Sequence, residues 1–105
     1  MKFVIRRLPE LEDDLLKAAR WYDQRETGLG DEFLDEVEAA IETLECNALN
    51  HSVRFADVRR APVMRFTFYG IYYLVRDGEV WVLSVFHGRR HPRWLRQRRG
   101  TFGKE

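Results

Sequence analysis

The chain has 105 residues, a single cysteine and a net charge of +1 at neutral pH. That length fits one domain, spanning residues 1–105, with one modest core and no large internal cavity, so a functional site belongs on a face or in a cleft. No apolar run approaches the ~20 residues that cross a bilayer, and the amino terminus turns acidic where a signal peptide needs its apolar region. Cys46 has no second cysteine to pair with. A cytoplasmic protein with no membrane partner is the expectation.

The near-neutral total conceals a division. Residues 1–50 carry six Lys/Arg against thirteen Asp/Glu, whereas residues 51–105 carry twelve against four, and eleven of those twelve are arginine. Guanidinium favours forked contacts with phosphate or carboxylate, so the second half reads as a surface for phosphate or an acidic partner. The alternative is internal neutralisation, an acidic helical layer lying beside a basic strand layer.

In chain order, Phe3 to Arg7 is short, apolar and basic, and predicts an opening strand at a sheet edge. Pro9 to about Arg25 predicts an amphipathic helix, because Leu11, Leu15, Ala18 and Tyr22 recur at helical spacing and Trp21 widens the apolar face. Glu10, Glu12, Asp13 and Asp14 suit the positive end of its dipole. Thr27-Gly28-Leu29-Gly30 breaks the pattern, and Asp31 is the expected cap of a second helix. Phe33, Val37, Ala40, Ile41 and Leu44 form its buried stripe; Glu32, Asp35, Glu36, Glu38 and Glu42 face outward as a solvated surface. So short a link predicts an antiparallel helical hairpin. Cys46, behind Ile41, reads as a buried structural thiol.

Residues 47–56 lose periodicity and read as a connection, with His51 as ordinary surface. Val58 to Phe66 resumes as strand, and Pro62 within it predicts an edge or bulged strand because proline cannot donate to the ladder. A turn is expected at Tyr69-Gly70. Ile71 to Val75 and Val80 to Phe86 are rich in β-branched and aromatic residues and flank Asp77-Gly78, a type I′ hairpin signal. The turn sets Arg76 against Glu79, Val75 against Val80, Leu74 against Trp81 and Tyr73 against Val82. Residues 91–105 form a basic tail, either disordered or a short helix across the sheet. The predicted class is α+β: an N-terminal strand and an antiparallel helical hairpin packed on a four-stranded, mainly antiparallel sheet whose other face is free to bind.

No glycine-rich phosphate loop and no Cys/His pair at zinc spacing occurs, so no cofactor or metal is expected. Ser84 lies mid-strand without a nucleophile elbow and is set aside. What remains is Arg59, Arg60, Arg65, His87, Arg89, Arg90 and His91. If the last strand persists, His87 and Arg89 share a face, and Arg65 reaches the same patch from a neighbouring strand. Arginines there would hold a phosphate and stabilise developing charge while the histidine moves a proton. The same group suits plain nucleic-acid binding, with Tyr69, Tyr72, Trp81 and Trp94 for stacking, or simple ion pairs to the acidic helices. The nucleic-acid readings need the guanidiniums to gather on an open sheet surface, uncancelled by the helices' carboxylates.

Several ordered pieces resemble the RelE/ParE superfamily of bacterial type II toxin–antitoxin toxins, also known as plasmid stabilisation proteins. They are Ala19-Arg20-Trp21-Tyr22, Gly28-Leu29-Gly30 with Phe33-Leu34, Arg59-Arg60, Arg65 through Tyr73, and Val82 through Arg90, with Pro92 and Trp94 beyond. The resemblance covers nearly the whole chain and implies a helical hairpin on a small antiparallel sheet. It implies a toxin neutralised by a cognate antitoxin whose carboxy-terminal segment adds a helix or strand, and assembly as a homodimer or as a hetero-oligomer with the antitoxin. RelE-like members cleave messenger RNA in the ribosome; on that pattern the carried-over catalytic residues are His87 as acid–base with Arg65 and Arg89 on the phosphate, and Arg59, Arg60, Arg90, Arg93 and Trp94 contact the target. This chain departs from the pattern: no tyrosine follows Arg90, and the loop before the sheet lacks lysines. ParE-like members instead poison DNA gyrase and need no catalytic site. The favoured expectation is inhibition of translation by binding or cleaving mRNA at the ribosome, with a gyrase poison or an inactive family member as alternatives.

Overall fold

Two amphipathic helical stripes and one tight turn organise the molecule. The computed structural model describes residues 2–88 and 92–102. Its elements run β1 (Val4–Arg7), α1 (Glu10–Arg25), α2 (Leu29–Asn47), a 3-10 turn (Ala48–Asn50), β2 (Val53–Phe55), β3 (Val58–Pro62), β4 (Tyr69–Arg76), β5 (Glu79–His87) and α3 (Arg93–Phe102). The sheet order is β1-β5-β4-β3-β2, antiparallel throughout except that edge strand β1 runs parallel to β5. The class is therefore the expected α+β arrangement.

The β4–β5 hairpin carries the predicted register, Arg76 opposite Glu79 through Tyr73 opposite Val82. Asp77 and Gly78 both adopt positive φ, 52° and 77°, as a type I′ turn requires. Beyond Tyr73 the ladder slips, so Tyr72 faces Ser84 and Leu83 is the extra residue of a bulge. The bulge shifts the alternation by one. Val80 and Val82 pack towards the helical hairpin before it, and Val85 returns to that side after it.

The hairpin of α1 and α2 covers this face of the sheet. Leu11, Leu15, Phe33, Val37, Ile41 and Leu44 are buried against Ile71, Tyr73, Val80 and Val82. Each large apolar side chain removed from water there contributes roughly 1.5–3 kcal/mol before chain entropy is counted. Tyr73 donates its hydroxyl to the Ala48 carbonyl, and burial pushes its pKa up to about 12. The helices approach closely because Gly30 has no side chain: a Cβ there would lie 2.5 Å from the Ala19 carbonyl oxygen. The Gly30 N–H instead donates to Asp23 Oδ1 at 2.8 Å.

Several expectations need correction. The sheet has five strands rather than four, because β2 lies within the stretch read as a connection and pairs with β3. That strand covers the outer side of β3, so Pro62 ends an interior strand and does not mark an edge. The turn falls at residues 63–68, tied by the Phe66 N–H to the Val63 carbonyl and the Tyr69 N–H to the Phe66 carbonyl, and Tyr69-Gly70 opens β4. Gly28, with φ of 90°, precedes α2 at its cap, and Asp31 lies inside the first turn. Cys46 is exposed; five residues beyond Ile41 it stands about 140° round the helix, off the stripe that Leu44 and Ala48 continue. His51 is half-buried, edge-on to the Tyr73 ring at 6.3 Å, and burial together with the Arg59 cation holds its pKa below the usual histidine value.

The second face of the sheet is not free. The basic tail forms α3, and Leu95 is fully buried against Val58, Tyr72, Leu74 and Leu83. Arg98 and Arg99 fasten it: Arg98 Nη1 donates to Asp14 Oδ2 at 2.9 Å and to the Leu83 carbonyl at 2.8 Å, while Arg99 grips both carboxylate oxygens of Asp57 at 2.7 and 2.9 Å.

Candidate functional site

Among the described residues, Arg59, Arg60 and Arg65 do not assemble into one open patch. Arg65 sits in the β3–β4 turn with a left-handed φ of 68°, a conformation that costs a non-glycine residue free energy. Its guanidinium meets Glu32 at 3.0 Å and Glu36 at 3.9 Å on α2. Arg59 donates to the His51 carbonyl at 2.6 Å. Arg60 is buried beneath β4, only 6% exposed. Arg93 is exposed in the first turn of α3. Among the described residues of the second half, Arg65, Arg98 and Arg99 are ion-paired, with Glu32, Asp14 and Asp57 respectively. For Arg65 the expectation of an uncancelled guanidinium is corrected, because the outward acids Glu32 and Glu36 of α2 are its ion-pair partners.

His87 is the last residue of β5 and is exposed. Its ring stacks on Phe68 at 5.6 Å and stands edge-on to Tyr69 at 5.3 Å. Regular strand geometry ends there, because Gly88 takes φ of 105°. Arg89 and Arg90 lie outside the described residues, as does His91.

A cleft of about 440 Å³ opens beside His87 instead. Helix α1 supplies Asp14, Lys17, Ala18 and Trp21; the strands supply Tyr69, Val85, Phe86 and His87; α3 supplies Trp94. Trp94 reaches its place because Leu95 anchors α3 to the sheet, and it stands edge-on to Phe86 at 5.3 Å with Arg98 over its ring at 4.8 Å. Trp21 is held by Tyr22, edge-on at 5.0 Å, and by the Arg25 guanidinium 3.5 Å above its ring. Both indoles stay open, at 45% and 40% exposure, and neighbouring Phe68 is 69% exposed. Apolar aromatic surface beside a concavity is the kind of surface on which another molecule can dock.

Of the residues singled out from the sequence, His87 and Trp94 therefore meet at one cleft, while Arg59, Arg60 and Arg65 serve other contacts. Trp21 was read only as widening a helix face. Its signal was present: it lies three residues from Ala18, on the flank of the stripe rather than its centre. Asp14 was read as a dipole partner. It also accepts from Ser84 Oγ at 2.7 Å and from Arg98, forming the polar knot that closes one side of the cleft; nothing in local sequence spacing signals contacts 70 and 84 positions apart.

A family model described as the ParE toxin of the type II toxin–antitoxin system parDE matches residues 5–92. No curated protein sequence matches the chain. Among solved structures, a chain of the chromosomal ParDE toxin–antitoxin system from P. aeruginosa superposes with a TM-score of 0.74 at 12% identity, covering 84% of this chain and 98% of that one. At that identity the likeness concerns the fold.

Proposed function

From membership of the ParE toxin family of type II toxin–antitoxin systems, to which this chain belongs, we propose that it acts as a ParE-like poison of DNA gyrase that docks through its aromatic cleft and performs no chemistry itself. The observation that carries this reading is the pair of half-open indoles, Trp21 and Trp94, facing a concave site while Arg65 is engaged by Glu32 and Glu36. Tryptophan is over-represented among the residues that dominate protein–protein affinity, where a large rigid ring fills a partner's pocket at small entropic cost. A phosphodiester-cleaving site would need cations free to meet the developing charge.

A second reading keeps the ribosome and its message as target. Exposed His87, beside exposed Phe68, favours it, with the histidine as acid–base and Arg65 and Arg89 as phosphate contacts. One experiment separates the two. Purified chain is added to a gyrase supercoiling reaction and, in parallel, to a cell-free translation reaction read by primer extension. Loss of supercoiling with accumulation of broken DNA, and unbroken message, is the expected result; new message ends with normal supercoiling would overturn it.

A further inference from the structure

Trp21 forms one wall of the cleft while standing 45% exposed. Its counterpart Trp94 is next in sequence to the fully buried Leu95, which pins the backbone beneath it. Trp21 has no such anchor beside it, and the residue one turn earlier on the same face, Ala18, offers only a methyl group to brace a large ring. A half-exposed indole on a helix surface is ordinarily free to change rotamer on a fast timescale. Something must therefore hold the ring if the cleft is to keep its shape.

Arg25 does this from the end of the helix. Long side chains on an α-helix lean towards its N-terminus, so that residue i+4 lies over residue i. Arg25 is the last residue of α1, and its guanidinium carbon stands 3.5 Å from the centre of the Trp21 ring. That is contact distance for two flat groups laid one on the other. Its Nη1 also donates to the Trp21 carbonyl at 3.4 Å, a long bond. No ion pair with a described carboxylate draws the guanidinium elsewhere.

Tyr22 meets the same indole edge-on at 5.0 Å, so the ring is held from a second direction. Arg25 is not among the residues that line the cleft, so the cleft meets the ring on its remaining surface. An aromatic anchor already held in its docked orientation loses less rotamer freedom when a partner arrives. We infer, on the docking reading above, that Arg25 is a positioning residue of the cleft: it holds the Trp21 indole in the orientation that receives the target, without touching the target itself.

The Trp21 Nε1–H resonance of the ¹⁵N-labelled, purified chain reports on the ring directly, with Trp21→Phe identifying the resonance by its loss. In Arg25→Ala the order parameter of that group should fall from the rigid range, about 0.8, to below about 0.6, while those of Trp81 and Trp94 hold. Affinity for purified gyrase, measured by isothermal titration, should drop roughly three- to fivefold in the same variant. Made in a Trp21→Ala background, Arg25→Ala should bring no further loss beyond about 1.5-fold, because Arg25 acts only through the ring. An unchanged Trp21 order parameter in Arg25→Ala would overturn the assignment. So would an equal loss of affinity in the two backgrounds, which would make Arg25 a direct contact with the target. A parent chain that does not bind gyrase, with an indole that still loosens in Arg25→Ala, would defeat the gyrase reading and leave the hold of Arg25 on the ring standing.

Discussion

Gly30 shows how much a single hydrogen atom in place of a methyl can matter. Its would-be Cβ lies 2.5 Å from a backbone oxygen of Ala19 and 2.8 Å from the Asp23 carboxyl carbon. Backbone cannot rotate out of the way, so Gly30→Ala forces α1 and α2 apart and should cost about 2–3 kcal/mol, read as a lower urea midpoint with unchanged slope. The clash at Gly70 has another character, because the obstacle is the side chain of Arg60. Gly70→Ala should cost less than Gly30→Ala and should displace the guanidinium, visible as a moved Nε–H resonance. Ser84→Ala removes one of two donors on Asp14 Oδ2 and should cost about 1 kcal/mol. Individual residues were unevenly legible in the sequence. Tyr73 and Val82 were placed correctly opposite each other because a two-residue turn dictates register. The ion pairs of Arg65 were not legible, because Glu32 and Glu36 belong to a face that local periodicity labels only as solvent-exposed.

Among the elements, α3 is fastened by a few identifiable contacts, and its attachment is correspondingly testable. One buried leucine, two arginine clamps and the Trp94–Phe86 ring contact are among what secures it. Arg98→Ala would leave Asp14 with Ser84 alone and remove a donor from the Leu83 carbonyl, at a cost of about 1–3 kcal/mol for a mostly enclosed pair. Hydrogen exchange at Leu95 should accelerate in that variant while the β4–β5 hairpin stays protected. The second clamp is pH-dependent. The hydrogen bond from Arg99 holds the Asp57 carboxyl below its ordinary value of 3.8, outweighing the opposing effect of burial. The unfolded chain therefore binds the proton more readily, so the stabilisation is complete above that ordinary value and disappears as pH falls through the lower, folded one. Leu95 exchange should rise over that acid window in the parent and show no such step in Asp57→Asn. Helical periodicity revealed α1 and α2 because each repeats its stripe over four or more turns. Strand β2 escaped notice because three residues, Val53–Phe55, are too few to display alternation, and it exists through pairing with β3.

At the scale of the whole molecule, charge division and aromatic exposure pull function in different directions. The acidic first half and basic second half meet across α2 and the β3–β4 turn, in an exposed pair at Arg65, and again where α3 crosses α1, in the enclosed pair of Arg98 with Asp14. The α+β class was legible, since helix pair and hairpin each announce themselves locally. The site was not, because Trp21, His87 and Trp94 come from three elements that only the folded chain brings to one cleft. Val82→Asp would place a charge in the fully buried layer beneath the helices, and unfolding of the purified variant by circular dichroism is expected. The division of labour between aromatic and basic residues is tested most directly by gyrase-dependent DNA breakage with three forms of the purified chain: the parent, Arg65→Ala and the double variant Trp21→Ala, Trp94→Ala. Breakage within about twofold of the parent for Arg65→Ala, and at least roughly a tenfold loss for the indole variant, is the expected result. Full activity without the two indoles, or loss of activity on removing Arg65, would contradict it.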